Sequence, residues 1–252
     1  MDLLQFGLVL AIGFIAGVIN VLAAGGSMLT LPMLIFLGLP AAVANGTNRI
    51  GILVQNVTAT ANFYRKGYVN PKVALYLSIP AVVGSLLGAM IAVNMTDQLF
   101  QLILAFVMVV TMIFLVWKPI PKERLKSVDW NAYTNMQKMI GFGVFFLIGM
   151  YGGFIQVGVG FFILLALTAV FRMSLFDSNV LKVVIVGLFI FLSLFVFIWH
   201  GQVNWGLGMM LAIGNGLGAY VGSQLTITKG EKWIKAALFV MVLVMAIKLI
   251  FF

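Results

Sequence analysis

Apolar blocks of about 20 residues, repeated along nearly the whole chain and parted only by short polar or glycine-bearing breaks, constrain this sequence most. The blocks run over 3–24, 27–38, 43–64, 72–93, 98–117, 138–156, 160–172, 178–199, 205–224 and 232–251. A water-facing domain needs roughly 25% charged residues to cover its surface. This chain of 252 residues has 8%. The expected fold class is therefore an all-α integral membrane protein of ten helical segments. Two of them, 27–38 and 160–172, are too short to span and each follows a glycine break, Gly25-Gly26-Ser27 or Gly158-Val159-Gly160. Each reads as half of a broken or re-entrant hairpin. Block 3–24 alone is long enough to cross.

The residue inventory narrows the chemistry. With no Cys and only one His, His200, disulfides, thiolate sites, haem and zinc centres are not expected, and no cofactor or metal is assigned. A net charge of +9 would suggest nucleic acid in a soluble protein. In a membrane protein it marks cytoplasmic loops, so no nucleic-acid partner is assigned. The start Met1-Asp2-Leu3 lacks the basic region of a signal peptide, so the first apolar block is expected to stay in the mature protein.

Basic residues also orient the chain. Arg65, Lys66 and Lys72 mark one cytoplasmic loop, and Lys118, Lys122, Arg124, Lys126 and Lys138 mark the long central one. Arg172, and the group Lys229, Lys232 and Lys235, mark two more. The turns 94–97 and 200–204 then fall outside, as does the N-terminus. The expected location is the cell (plasma or inner) membrane, crossed many times.

At an offset of 134 residues the halves match: Asn45 with Asn179, Gly67 with Gly201, Val69 with Val203 and Asn70 with Asn204. Gly84 matches Gly218, Gly88 matches Gly222, and Gly26 matches Gly160. The charge rule puts the two Gly-x-Val-Asn turns on opposite sides, so the repeats are expected to be inverted. Inverted repeats of broken helices are the architecture of secondary transporters, with substrate held near the midplane. The division is 1–117 for the first transmembrane repeat, 118–137 for a cytoplasmic linker and 138–252 for the second repeat, about five segments each with the glycine-broken hairpins meeting near the midplane.

Several residues could hold a ligand. A helix beginning after Gly26 offers free N–H groups and a positive dipole end, with Asn20, Gly25 and the Ser27 hydroxyl alongside. The second break offers Gln156, Gly158 and Gly160. A β-branched residue at Gly26 is expected to damage transport more than expression. At 100° per residue Asn45, Asn48, Arg49, Gln55, Asn56 and Asn62 share one helix face, completed by Ile52 and Ala59. In the other half Asn179, Lys182 and Ser193 share a face. A buried cation faces a cavity, a partner or a ligand, the alternative being that Arg49 and Lys182 snorkel to the interface.

Every acid (Asp2, Asp97, Glu123, Asp129, Asp177, Glu231) sits at or beyond a segment end, leaving no carboxylate at depth for a cation or a proton relay. An anion is the expected substrate. His200, with Trp199 and Trp205, reads as part of an interfacial aromatic belt. The Gly84/Gly88 and Gly214/Gly218/Gly222 faces read as bundle packing, a dimer face being the alternative, so a homodimer stays open.

The stretches Gly17 to Pro32 (GVINVLAAGGSMLTLP), Ala44 to Arg49 (ANGTNR) and Gly149 to Gly160 (GMYGGFIQVGVG) resemble the TauE/SafE family of sulfite and organosulfonate exporters over nearly the whole chain. The resemblance implies a transporter of small sulfur-containing anions such as sulfite, sulfoacetate or related sulfonates, directed outward. It carries the site onto Gly25, Gly26 and Ser27, onto Asn45, Asn48 and Arg49, and onto Gly158 and Gly160. The chain departs from internal symmetry in setting Val183 opposite Arg49 and Lys182 opposite Asn48. The expected function is a secondary anion transporter working by alternating access, not an enzyme, with the small anion and the lipid bilayer as partners. Arg49 is expected to supply the charge, Lys182 less so, and a passive anion channel of the same architecture is the alternative.

Overall fold

The computed structural model describes residues 3–23, 25–117, 130–230, 232–234 and 236. All regular structure among them is helical: α1 (Leu3–Ala23), α2 (Ser27–Phe36), α3 (Ala41–Arg65), α4 (Pro71–Val93), α5 (Asp97–Trp117), a 3-10 turn at Trp130–Ala132, α6 (Asn135–Phe154), α7 (Val159–Val170), α8 (Leu175–Trp199) and α9 (Trp205–Lys229). The first nine expected segments are present. Most of the tenth and of the linker, with Lys118, Lys122, Arg124, Lys126 and Lys235, lies outside the described residues.

Boundaries shift where polar residues belong to a helix's first turn. The helix α6 begins three residues earlier than apolarity indicates because Thr134 and Gln137 form a reciprocal capping box. The helix α8 begins at Leu175 because the Ser174 hydroxyl accepts from the Asp177 N–H.

The two Gly-x-Val-Asn turns have one geometry. Gly67 and Gly201 adopt φ 76° and 66°. The N–H groups of Tyr68 and Gln202 reach back to the carbonyls of Phe63 and Phe197, closing α3 and α8 with the same motif. Asn70 and Asn204 then cap α4 and α9 by accepting from Val73 and Leu207. The 134-residue match thus marks a shared helix stop and helix start.

Packing follows the same exchange. The helix α1 packs along α9, and α6 packs along α4. A Cβ on Gly84 or Gly88 would strike the carbonyl of Phe146 or Met150, and one on Gly149 or Gly153 the carbonyl of Ala81 or Ser85. In the other pair a Cβ on Gly218 would strike the Phe14 carbonyl, and one on Gly17 would meet Asn215. These faces are intramolecular, as expected of small residues that let helix backbones touch. Opposite them, Leu75, Ile79, Val83 and Leu87 on α4 and Met209, Ile213, Leu217 and Val221 on α9 are exposed. Two such apolar stripes suit hydrocarbon and not water.

The helices α3 and α8 cross between these pairs in antiparallel sense, with Gly46 against Phe197, Arg49 on Ser193 and Asn56 beside Gly187. By length and composition α1, α4 and α8 can cross a membrane. With 10 and 12 residues, α2 and α7 reach about 15–18 Å, half of a hydrocarbon core of about 30 Å.

Candidate functional site

Each half contains one interruption. The first, at Gly25-Gly26, separates α1 from α2, and Gly26 lies so close to α1 that a Cβ would strike the Ala16 carbonyl and crowd Asn20. A β-branched residue there therefore attacks the fold itself, and the expectation that transport would suffer more than expression gives way to damage to both. The second break, residues 155–158, turns through two left-handed positions, Gln156 at φ 58° and Gly158 at φ 68°. Gly160 falls inside the first turn of α7.

Helix ends at membrane depth leave carbonyls without donors. Cations from the opposite half supply them. Arg49, on α3, donates to the carbonyls of Gly152 and Gly153 at the end of α6 and to the Ser193 hydroxyl at 2.8 Å. Its guanidinium lies 4.4 Å from the centre of the Phe197 ring. Lys182, on α8, donates to the carbonyls of Asn20 (2.9 Å) and Val21 (3.2 Å) near the end of α1 and to Asn179 Oδ1 (2.7 Å). A cation at a helix C-terminus meets the negative end of its dipole. Both side chains are buried, at 0% and 2% exposure, which overturns the snorkelling alternative.

Between the breaks lies a small cavity of about 10 Å3, roughly the space of one water. The first break contributes Asn20 and Ser27; the second contributes Gln156, Val159 and Gly160. Ile52 and Asn56 of α3 face Lys182, Val186 and Ile190 of α8 across it. Gln156 is the unusual member. It is 1% exposed, holds a backbone conformation that a non-glycine residue rarely adopts, and neither atom of its amide has a partner. Strain together with an unsatisfied buried polar group is the pattern of a ligand site.

Of the residues singled out from sequence, Asn20, Ser27, Gln156, Gly160 and Lys182 line the cavity. Gly25, Gly26 and Gly158 form the breaks behind it, and Asn179 holds Lys182. Asn45 donates to the Phe154 carbonyl at the end of α6, beside Arg49. Asn48 is fully buried with both amide atoms unpartnered, yet neither it nor Arg49 lines the cavity. Asn56 also lines the cavity, although the sequence shows it only as one polar residue of its helix face. Its position one turn beyond Ile52 on that face was the available signal. His200 stacks no charge into the site: it is exposed beside Trp199, itself 89% exposed, as an interfacial belt requires.

A family model described as Sulfite exporter TauE/SafE matches residues 9–249. A Sinorhizobium sp protein named "Probable membrane transporter protein ORF9" is 31% identical over 94% of this chain and 89% of its own length. A Haemophilus influenzae protein named "Probable membrane transporter protein" is 27% identical over 95% of this chain and 92% of its own. The Escherichia coli K12 protein named "Probable membrane transporter protein YfcA" is 28% identical over 98% and 90%. No solved structure matches the chain.

Proposed function

The chain belongs to the TauE/SafE family of sulfite exporters, and from that premise we propose that it is a secondary transporter that exports small sulfur-containing anions, such as sulfite, sulfoacetate or related organosulfonates. It acts by alternating access in the cell membrane, with its N-terminus outside and the central loop cytoplasmic. It is not an enzyme. The observation that carries this reading is the cavity where both helix breaks converge on Lys182 and on the unpartnered amide of Gln156.

Inverted repeats supply the mechanism, and the antiparallel run of the equivalent helices α3 and α8 supports them. The flush pairs α1–α9 and α4–α6 each join one helix from either repeat and act as stiff arms. Rocking of one arm against the other about α3 and α8 opens the cavity first to one side and then to the other. The breaks make this affordable in a lipid environment, because the Arg49 and Lys182 contacts keep their carbonyls satisfied.

Lys182 gives the anion its counter-charge, and Gln156, Asn20, Asn56 and Ser27 give neutral hydrogen bonds weak enough to allow release. Arg49 serves the site at one remove by holding the end of α6. A negative-inside potential drives an anion outward with about 2.3 kcal/mol per charge per 100 mV. Purified protein in liposomes tests the reading. Saturable sulfite flux, lost in Lys182→Met while the variant still assembles into the bilayer, is the expected result. Flux that never saturates would indicate the channel instead, and no flux of any sulfur oxyanion would refute the assignment.

A further inference from the structure

The walls of the cavity repeat themselves. Ile52 is exchanged with Val186 and Asn56 with Ile190 by the 134-residue offset, and Asn20 with Gln156 by 136, the offset that also pairs Gly13 with Gly149 and Gly17 with Gly153. The cavity therefore lies where the two halves are related to each other. A symmetric cavity would hold two cations, and this one holds one.

The counterpart of Lys182 is Asn48, which does not line the cavity. The cation of the first half stands one residue later, at Arg49, about 100° further round the helix. There its terminal nitrogens donate to the carbonyls of Gly152 and Gly153 and to the Ser193 hydroxyl, its guanidinium faces the Phe197 ring, and it does not reach the cavity wall. Lys182 is held at the wall by three acceptors, so its charge is fixed in place. Among the described residues no Asp or Glu lines the cavity, and its other members are amides, a hydroxyl, backbone and aliphatic side chains.

We propose that this site takes a singly charged anion, with Lys182 as its one counter-charge, and rejects dianions of the same size. The proposal rests on the transporter reading above and narrows its substrates, removing the dianion sulfoacetate and leaving hydrogensulfite and singly charged sulfonates. Once the rocking of the arms has widened the cavity beyond the one-water space seen here, one negative charge against Lys182 leaves it near neutrality, with Gln156 turning its open amide to the remaining oxygen atoms. A second negative charge would lie against Ile52, Val186 and Ile190 with no cation to balance it, which a buried site does not tolerate.

Isethionate and sulfoacetate are matched probes, both two-carbon sulfonates, the first singly and the second doubly charged near neutral pH. In liposomes containing the full chain, isethionate is expected to inhibit saturable sulfite flux at a concentration about tenfold lower than sulfoacetate requires. Asn56→Lys, which adds a second cation across from Lys182, is expected to narrow or reverse that ratio. Equal or stronger inhibition by sulfoacetate in the unaltered protein overturns the proposal while leaving the transporter reading intact, whether or not Asn56→Lys folds. Absence of saturable sulfite flux removes the transporter reading, and this inference with it.

Discussion

Replacing Gln156 with glycine separates a residue kept for the ligand from one kept for the fold. A non-glycine residue in the left-handed region costs about 1–2 kcal/mol, which glycine at φ 58° does not incur. Removing a buried amide with neither atom partnered recovers about 1–3 kcal/mol more. Against this stand about 0.5–1 kcal/mol for the freedom of glycine in the unfolded chain and about 1.6 kcal/mol for two buried methylenes. The net is a stabilisation of about 1 kcal/mol, or about 2–4 °C in melting temperature for a chain of this size. Thermal unfolding in detergent reads the stability, and sulfite flux in liposomes reads the function. Gln156→Gly is expected to melt no lower than the unaltered protein and to lose most of its flux. A fall of more than about 4 °C, with flux declining only in proportion to the folded fraction, would show that the Gln156 side chain holds the break together.

Arg49→Met leaves the Gly152 and Gly153 carbonyls and the Ser193 hydroxyl without their donor, at about 1–3 kcal/mol each, so it should show as lost folded protein on size-exclusion chromatography before any flux is measured. Gly88→Val drives a side chain into the Met150 backbone and should abolish the folded monodisperse peak. Gly67→Ala, with open space around it, should lose only the left-handed penalty of about 1 kcal/mol in thermal unfolding. Asn70→Ala and Asn204→Ala each remove one helix cap and should each cost about 1 kcal/mol by the same assay, since the two turns share one geometry.

The ruler of 20 apolar residues found the helices because lipid-facing and core-facing side chains are both apolar, so burial and exposure need not be told apart. It trimmed α6 and α8, whose first turns contain polar residues, and it stopped α9 at 224 where the helix runs to Lys229. The shared geometry of the two turns was legible in Gly67, Asn70, Gly201 and Asn204 because helix stops and starts demand particular residues. The roles within the site were not. Arg49 and Lys182 look alike in sequence, each about one turn inside a polar face, but all of their acceptors except Asn179 come from the other half of the chain. One residue of displacement around the helix decides which of them lines the cavity. Gln156 stood out only as a polar residue beside glycines, whereas its significance lies in a backbone angle and an empty amide that no local pattern reveals.

Accessibility of Ser27 from the two sides of the membrane tests the central claim most directly. The chain has no cysteine, so Ser27→Cys introduces a single, nearly isosteric thiol at a buried position on the cavity wall. An impermeant maleimide added to either face of sealed vesicles is predicted to label it from both, and bound isethionate to slow both reactions. Labelling from one face only, or labelling that isethionate leaves unchanged, would contradict a cavity that faces each side in turn and holds the anion there.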